Sequence, residues 1–127
     1  MLTSLQRFNL GYERYRPTDR WVDYCISLES LYSKENTEVT NRLSTRAAKV
    51  LEDAILDNRI TKKKQIMKWY GTRSNLVHGT YDPKRELKDL PILEEDLRKS
   101  IRWFISNKHW CDKAKIIDIL DLCPQSN

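Results

Sequence analysis

The stretch Lys62-Lys-Lys-Gln-Ile-Met-Lys-Trp-Tyr-Gly-Thr-Arg-Ser-Asn-Leu-Val-His-Gly-Thr-Tyr81 decides the fold class. Wound at about 100° per residue, it puts Ile66, Trp69, Tyr70, Leu76 and Val77 on one continuous arc, the pattern of an amphipathic helix. Arg73 falls near the middle of that arc. A guanidinium there must be paired, solvated in a cleft or facing a partner, because an isolated buried charge is costly. His78 follows about 140° further round and roughly 7.5 Å along the axis, and Gly79 stands where a helix C-cap is expected. The spacing predicts a histidine at the rim of the face that carries the arginine.

Upstream, Thr18 or Asp19 can cap a helix running to about Ser33. Its apolar arc holds Trp21, Val22, Tyr24, Cys25, Ile26, Leu28, Leu31 and Tyr32, with Asp23, Ser27 and Ser30 opposite. Glu29 breaks the pattern by projecting from the apolar side. Two helices thus each carry one opposite charge on the wrong face, and the economical reading is that Glu29 and Arg73 meet. The other reading is a partly exposed carboxylate at the edge of the bundle.

Between these helices, Thr37 or Thr40 can cap a third that extends to around Asp57, with Val39, Leu43, Ala47, Val50, Leu51 and Ala54 as its buried stripe. Arg42 and Arg46 lie on its flank, either as a solvated basic edge or as phosphate ligands. Asp57-Asn-Arg59 reads as a turn, after which Thr61-Lys-Lys-Lys64 opens the helix of Arg73. Positive charge at a helix N-terminus opposes the macrodipole. Lys62, Lys63 and Lys64, continued by Lys68, therefore either track a nucleic-acid backbone toward His78 or form an ordinary soluble surface.

Beyond Gly79, residues 80–85 read as a loop, and Ile92 to Lys108 as a long helix with Leu93, Leu97, Ile101, Phe104 and Ile105 on one face. Glu94, Glu95 and Asp96 fit helix-start charge, and Trp103 points away from the stripe, wedged against another helix or available for an oligomer contact. A last helix from Asp112 to about Leu122 packs Ile116, Ile119, Leu120 and Cys123. At the other end, Leu2, Leu5, Phe8, Leu10 and Tyr12 have mixed helical spacing, and Pro17 stops whatever helix they make. Residues 1–16 read as a peripheral helix or as a linker helix from a longer parent protein.

A chain of 127 residues is one domain's worth, and three glycines and four prolines leave little punctuation between helices. The expectation is a single all-α domain, a bundle of five to six helices. No apolar run of about 18 residues exists to span a bilayer, and the N-terminus lacks a secretory signal's apolar core. A cytoplasmic protein is expected. Cys25, Cys111 and Cys123 fit neither a disulfide framework nor a zinc site, and His109-Trp-Cys111 is too sparse to hold a metal. Neither a phosphate loop nor a nucleophile elbow is present, so no metal or cofactor is expected. The net charge of +5 and pI near 9.2 permit a nucleic-acid partner without requiring one.

The run Trp69-Tyr-Gly-Thr-Arg73-Ser-Asn-Leu-Val-His78-Gly79 resembles the Y-x-x-R-S-x-x-V-H-G segment of the Apea-like branch of the HEPN superfamily. Tyr24 to Tyr32 is similar to that branch's A-L-E-x-L-(F/Y) helix, and Glu38 to Ala48 to its I-T-x-x-L-x-x-R-x-A helix, in the family's order over roughly residues 20 to 80. The resemblance implies a HEPN-like bundle that dimerises, with the Arg and His of both protomers lining a composite cleft. It further implies a metal-independent endoribonuclease of phage defence, toxin–antitoxin pairs or RNA processing, in many members attached to other domains. In the toxin branch a tyrosine follows two residues after the histidine, whereas Tyr81 follows three after His78, so that branch's tyrosine modification is not carried over.

The residue types suit such chemistry. Metal-free RNA cleavage uses the substrate's own 2′-hydroxyl, and needs a proton acceptor and a fixed cation for the charge that builds on the phosphoryl oxygens. His78 and Arg73 can fill those roles, Ser74 and Asn75 add hydrogen-bonding groups beside them, and Tyr70 can stack on a base. One histidine does not readily serve as acid and base in one step, and a homodimer supplies a second. The alternative is a catalytically inactive helical module for dimerisation or for RNA or protein binding. In it Arg73 is only the partner of Glu29 and His78 only a helix cap.

Overall fold

The computed structural model describes residues 2–13, 16–34, 37–79, 87–107 and 112–122. Among them are six helices and no strand: α1 (Leu2–Glu13), α2 (Pro17–Tyr32), α3 (Val39–Leu51), α4 (Leu56–Val77), α5 (Leu90–Ser106) and α6 (Lys113–Leu122). The all-α expectation holds. None of these helices is long and apolar enough to cross a membrane.

α2 is the hub, packed against α1, α3, α4 and α5. Pro17 occupies the first turn, where its fixed φ and missing N–H cost nothing. It therefore opens α2, while α1 ends earlier, at Glu13. The face of α2 that carries Asp23 and Ser27 is buried, contrary to the pattern, because α1 covers it. Ser4 and Ser27 hydroxyls lie 2.7 Å apart, Arg7 reaches Asp23 at 3.4 Å, and Phe8 stacks on Tyr24 at 5.6 Å. Such small polar groups are buried tolerably because they bond each other.

The core gathers Trp21, Leu28 and Leu31 of α2 with Leu43 and Ala47 of α3, Ile66 and Trp69 of α4, Leu93, Leu97 and Phe104 of α5, and Ile116 and Leu120 of α6. The indole N–H of Trp21 donates to the carbonyl of Trp69 at 3.0 Å, and Tyr70 donates to the carbonyl of Cys25. With Glu29 and Arg73 as the next contact, residue numbers rise together along both chains, so α2 and α4 run in the same direction. Tyr24 to Glu94 (2.8 Å) and Tyr32 to Ser100 (2.7 Å) align α5 with α2 in the same way.

Several boundaries and faces differ from the sequence reading. α3 stops at Leu51, leaving Ala54 outside it and exposed. Asp57-Asn-Arg59 is no turn but the first turn of α4, nucleated by Asp53, whose carboxylate accepts from the Ile55 amide and the Asn58 side chain, both at 3.1 Å. Val77, Ile105 and Ile119 belong to apolar stripes yet are 61%, 49% and 39% exposed. Trp103 is wedged rather than free, packed against the core and edge-on to Phe104 at 5.3 Å. The loop after Gly79, His109, Cys111 and Cys123 lie outside the described residues.

Candidate functional site

Arg73 and Glu29 do come together. Arg73 Nη1 lies 3.6 Å from Glu29 Oε2, with the two side chains 32% and 38% exposed. The contact is loose, longer than a hydrogen bond of 2.7 to about 3.2 Å, and far from the close two-point geometry of a guanidinium fork on a carboxylate. The guanidinium carbon sits 5.8 Å from the centre of the Tyr70 ring, and Nε is buried with no hydrogen-bond acceptor among the described residues. Behind the pair is the fully buried Cys25. Burial pushes its thiol up to about 12, with Arg73 opposing and Glu29 reinforcing that rise.

Tyr70 does not stand ready to stack on a base. It is 7% exposed, its hydroxyl is spent on Cys25, and burial raises that hydroxyl well above its ordinary value. Its ring instead lies beneath the Arg73 guanidinium.

His78 ends α4 as its C-cap, its backbone N–H donating to the Ser74 carbonyl at 3.0 Å, and Gly79 follows at φ 71°, a left-handed turn that favours glycine. The imidazole is exposed, and its Nδ1 lies 3.2 Å from Ser74 Oγ. That contact occupies one ring nitrogen and leaves Nε2 without a hydrogen-bond partner among the described residues. Asn75 is exposed on the same turn. Arg73 and His78 are therefore not joined within one copy: about 140° of helix separates them, and each has a different partner.

The basic residues divide sharply. Arg46 is neither a solvated edge nor a phosphate ligand: it is 2% exposed, holds Asp121 through Nε and Nη2 at 2.9 and 3.1 Å, and donates from Nη1 to the Tyr32 carbonyl at 2.8 Å. Lys62 also turns inward, to Asp96 and Gln65 at 2.8 Å each, with its ammonium 5.7 Å from the Trp69 ring centre. Because α4 begins at Leu56, Lys62 to Lys64 lie about two turns inside the helix. The macrodipole conflict that suggested a backbone-tracking cluster falls off within the first turn. The inward turn of Lys62 has a signal in the sequence, since it stands four residues before Ile66 and seven before Trp69, on the buried stripe. That its partner is Asp96 is not legible from either helix alone.

Lys64 and Lys68 remain exposed, with no ion pair among the described residues, while Lys63 is half-buried beside Thr45, Ala48, Leu56, Arg59 and Ile60. The groove these six residues line, about 260 Å³, falls below the usual 300–1,000 Å³ of small-molecule pockets. By helical geometry Lys64, Lys68 and His78 share about 80° of the outer side of α4, over roughly 21 Å of its length. Among the described residues, no three His, Cys, Asp or Glu side chains are grouped to hold a metal ion. Comparison of the chain with protein-family models, with curated proteins and with solved structures finds no match.

Proposed function

We propose that this chain binds RNA along the outer side of α4 and, as a homodimer of the HEPN type, cleaves it without a metal. The observation that carries this reading is His78, exposed with Nδ1 against Ser74 and, among the described residues, no partner for Nε2, on the same side of one helix as Lys64 and Lys68, which are exposed and without an ion pair among those residues. The 2′-oxygen attacks the adjacent phosphorus and the bond to the 5′-oxygen breaks, giving a 2′,3′-cyclic phosphate and a 5′-hydroxyl. His78 of one copy accepts the 2′-hydroxyl proton, and His78 of the second returns a proton to the leaving oxygen. Arg73 stabilises the charge on the phosphoryl oxygens. Because Arg73 and His78 diverge on one helix, two copies are required to line one cleft.

The test is RNA incubated with the protein in EDTA. Cleavage to cyclic-phosphate ends is expected, lost in His78→Ala and Arg73→Ala with folding intact. Replacing Lys64 and Lys68 together by Ala should lower the slope of log affinity against log salt by about 1.4, at roughly 0.7 per phosphate contact on a single strand. That Arg73 meets Glu29 at all is the observation behind a second reading, a silent dimerisation or binding module. In that case Arg73→Ala lowers the melting temperature and His78→Ala changes neither binding nor RNA ends.

A further inference from the structure

Glu29 and Arg73 hold each other poorly. A guanidinium offers five N–H donors, yet Arg73 approaches Glu29 only to 3.6 Å, beyond hydrogen-bond distance, and among the described residues its buried Nε has no acceptor. The carboxylate is not a lock on the arginine: a lock is bidentate, at 2.7 to about 2.9 Å. Both side chains are about one-third exposed, so an anion in solution can reach the pair. The Tyr70 ring supports the guanidinium from below, and the buried Cys25 thiol, neutral across the physiological range, adds no competing charge.

We infer that Glu29 is a resident stand-in for a phosphate group on Arg73, an internal competitor that such a ligand displaces. The inference deepens the reading of Arg73 as a phosphate clamp and rests on it. A phosphate group carries its charge over several oxygens and can hydrogen-bond two guanidinium nitrogens at once, whereas Glu29 stays 3.6 Å away. Displaced, the Glu29 carboxylate has water to turn to, since it lies toward the edge of α2 with 38% of its surface already exposed. Selectivity follows from the same competition, because a singly charged carboxylate gains nothing by replacing another, while a phosphate does.

Glu29→Gln keeps the shape and removes the competing charge. Binding of inorganic phosphate and of a uridine tetranucleotide, measured by calorimetry at matched chloride ionic strength, is expected to tighten roughly two- to fivefold in this variant, the range a partly exposed ion pair is worth. The gain should vanish in the Glu29→Gln, Arg73→Ala double variant. Equal affinity in the single variant and the parent overturns the inference. Weaker binding overturns it too, because Glu29 would then be orienting the arginine. Should Glu29→Gln not fold, the parent protein still decides: adding phosphate must move the NMR signals of the Arg73 Nε–H and the Glu29 carboxyl carbon together, and unmoved signals overturn the inference. These readouts involve no cleavage, so a failure of the ribonuclease reading and a failure of this one are distinguishable.

Discussion

Arg46 illustrates how a single side chain changes meaning once its surroundings are known. By spacing it flanks a buried stripe; in the fold its guanidinium crosses from α3 to α6 and closes on Asp121 and on the last carbonyl of α2. Arg46→Ala leaves the Tyr32 carbonyl without this donor and removes a large, fully buried side chain, while Asp121, 43% exposed, can recover water. The expected loss is about 2 to 4 kcal/mol in chemical denaturation, with RNA affinity of the folded protein unchanged. A variant as stable as the parent, or one that loses RNA affinity while folded, contradicts this structural assignment. Lys62 follows the same logic through Asp96, and together the two show why a count of cations overstates a nucleic-acid surface.

Between helices, two glycines test the packing in opposite directions. A Cβ on Gly11 would stand 2.7 Å from Cε1 of Tyr24, so α1 and α2 approach as closely as they do because that carbon is absent. Gly11→Ala is expected to destabilise by about 1 to 3 kcal/mol through overpacking. Gly71, inside α4, has nothing within 4 Å of its would-be Cβ, and Gly71→Ala should stabilise by about 0.5 to 1 kcal/mol through helix propensity. Thermal melts of the two variants check both signs. Helix identity was legible because Trp69, Leu97 and their neighbours recur at helical spacing, and so was the meeting of Glu29 with Arg73, since each charge broke its own helix's pattern. The burial of Asp23 and Ser27 was not legible: it depends on α1, whose own apolar residues are irregular and whose small residues Ser4 and Gly11 make the contact. The start of α4 was hidden for a similar reason, as Asp53, from outside the apparent turn, accepts from the Ile55 amide and the Asn58 side chain that flank it. The division of lysines into buried and exposed was half legible, from stripe position but not from partner.

Across the whole molecule, burial of neutral acids ties stability to alkaline pH. The Cys25 thiol rises from an ordinary 9.0 to about 12, and Tyr24, Tyr32 and Tyr70 all rise from 10.0, burial being the first cause in each. A raised folded value means that the native state keeps its proton where the unfolded chain has lost it. This contribution is complete below pH 9 and declines above it, by about 1.4 kcal/mol per pH unit for Cys25 between 9 and 12, with the tyrosines adding from pH 10. Melting temperature should therefore fall steeply over that window, and less steeply in Cys25→Ala relative to its own value at pH 8. A flat profile from pH 9 to 11 contradicts the burial of these groups. The central position of α2 also bears on how the chain is made. Its four neighbours include α4 and α5, which are complete only some 45 to 75 positions after α2 ends at Tyr32. Until then, of the described helices, only α1 and α3 are available to shield it, so Trp21, which packs on Trp69 of α4, and Tyr32, which packs on Phe104 of α5, emerge uncovered on a greasy strip that a holdase chaperone would find before the late helices do.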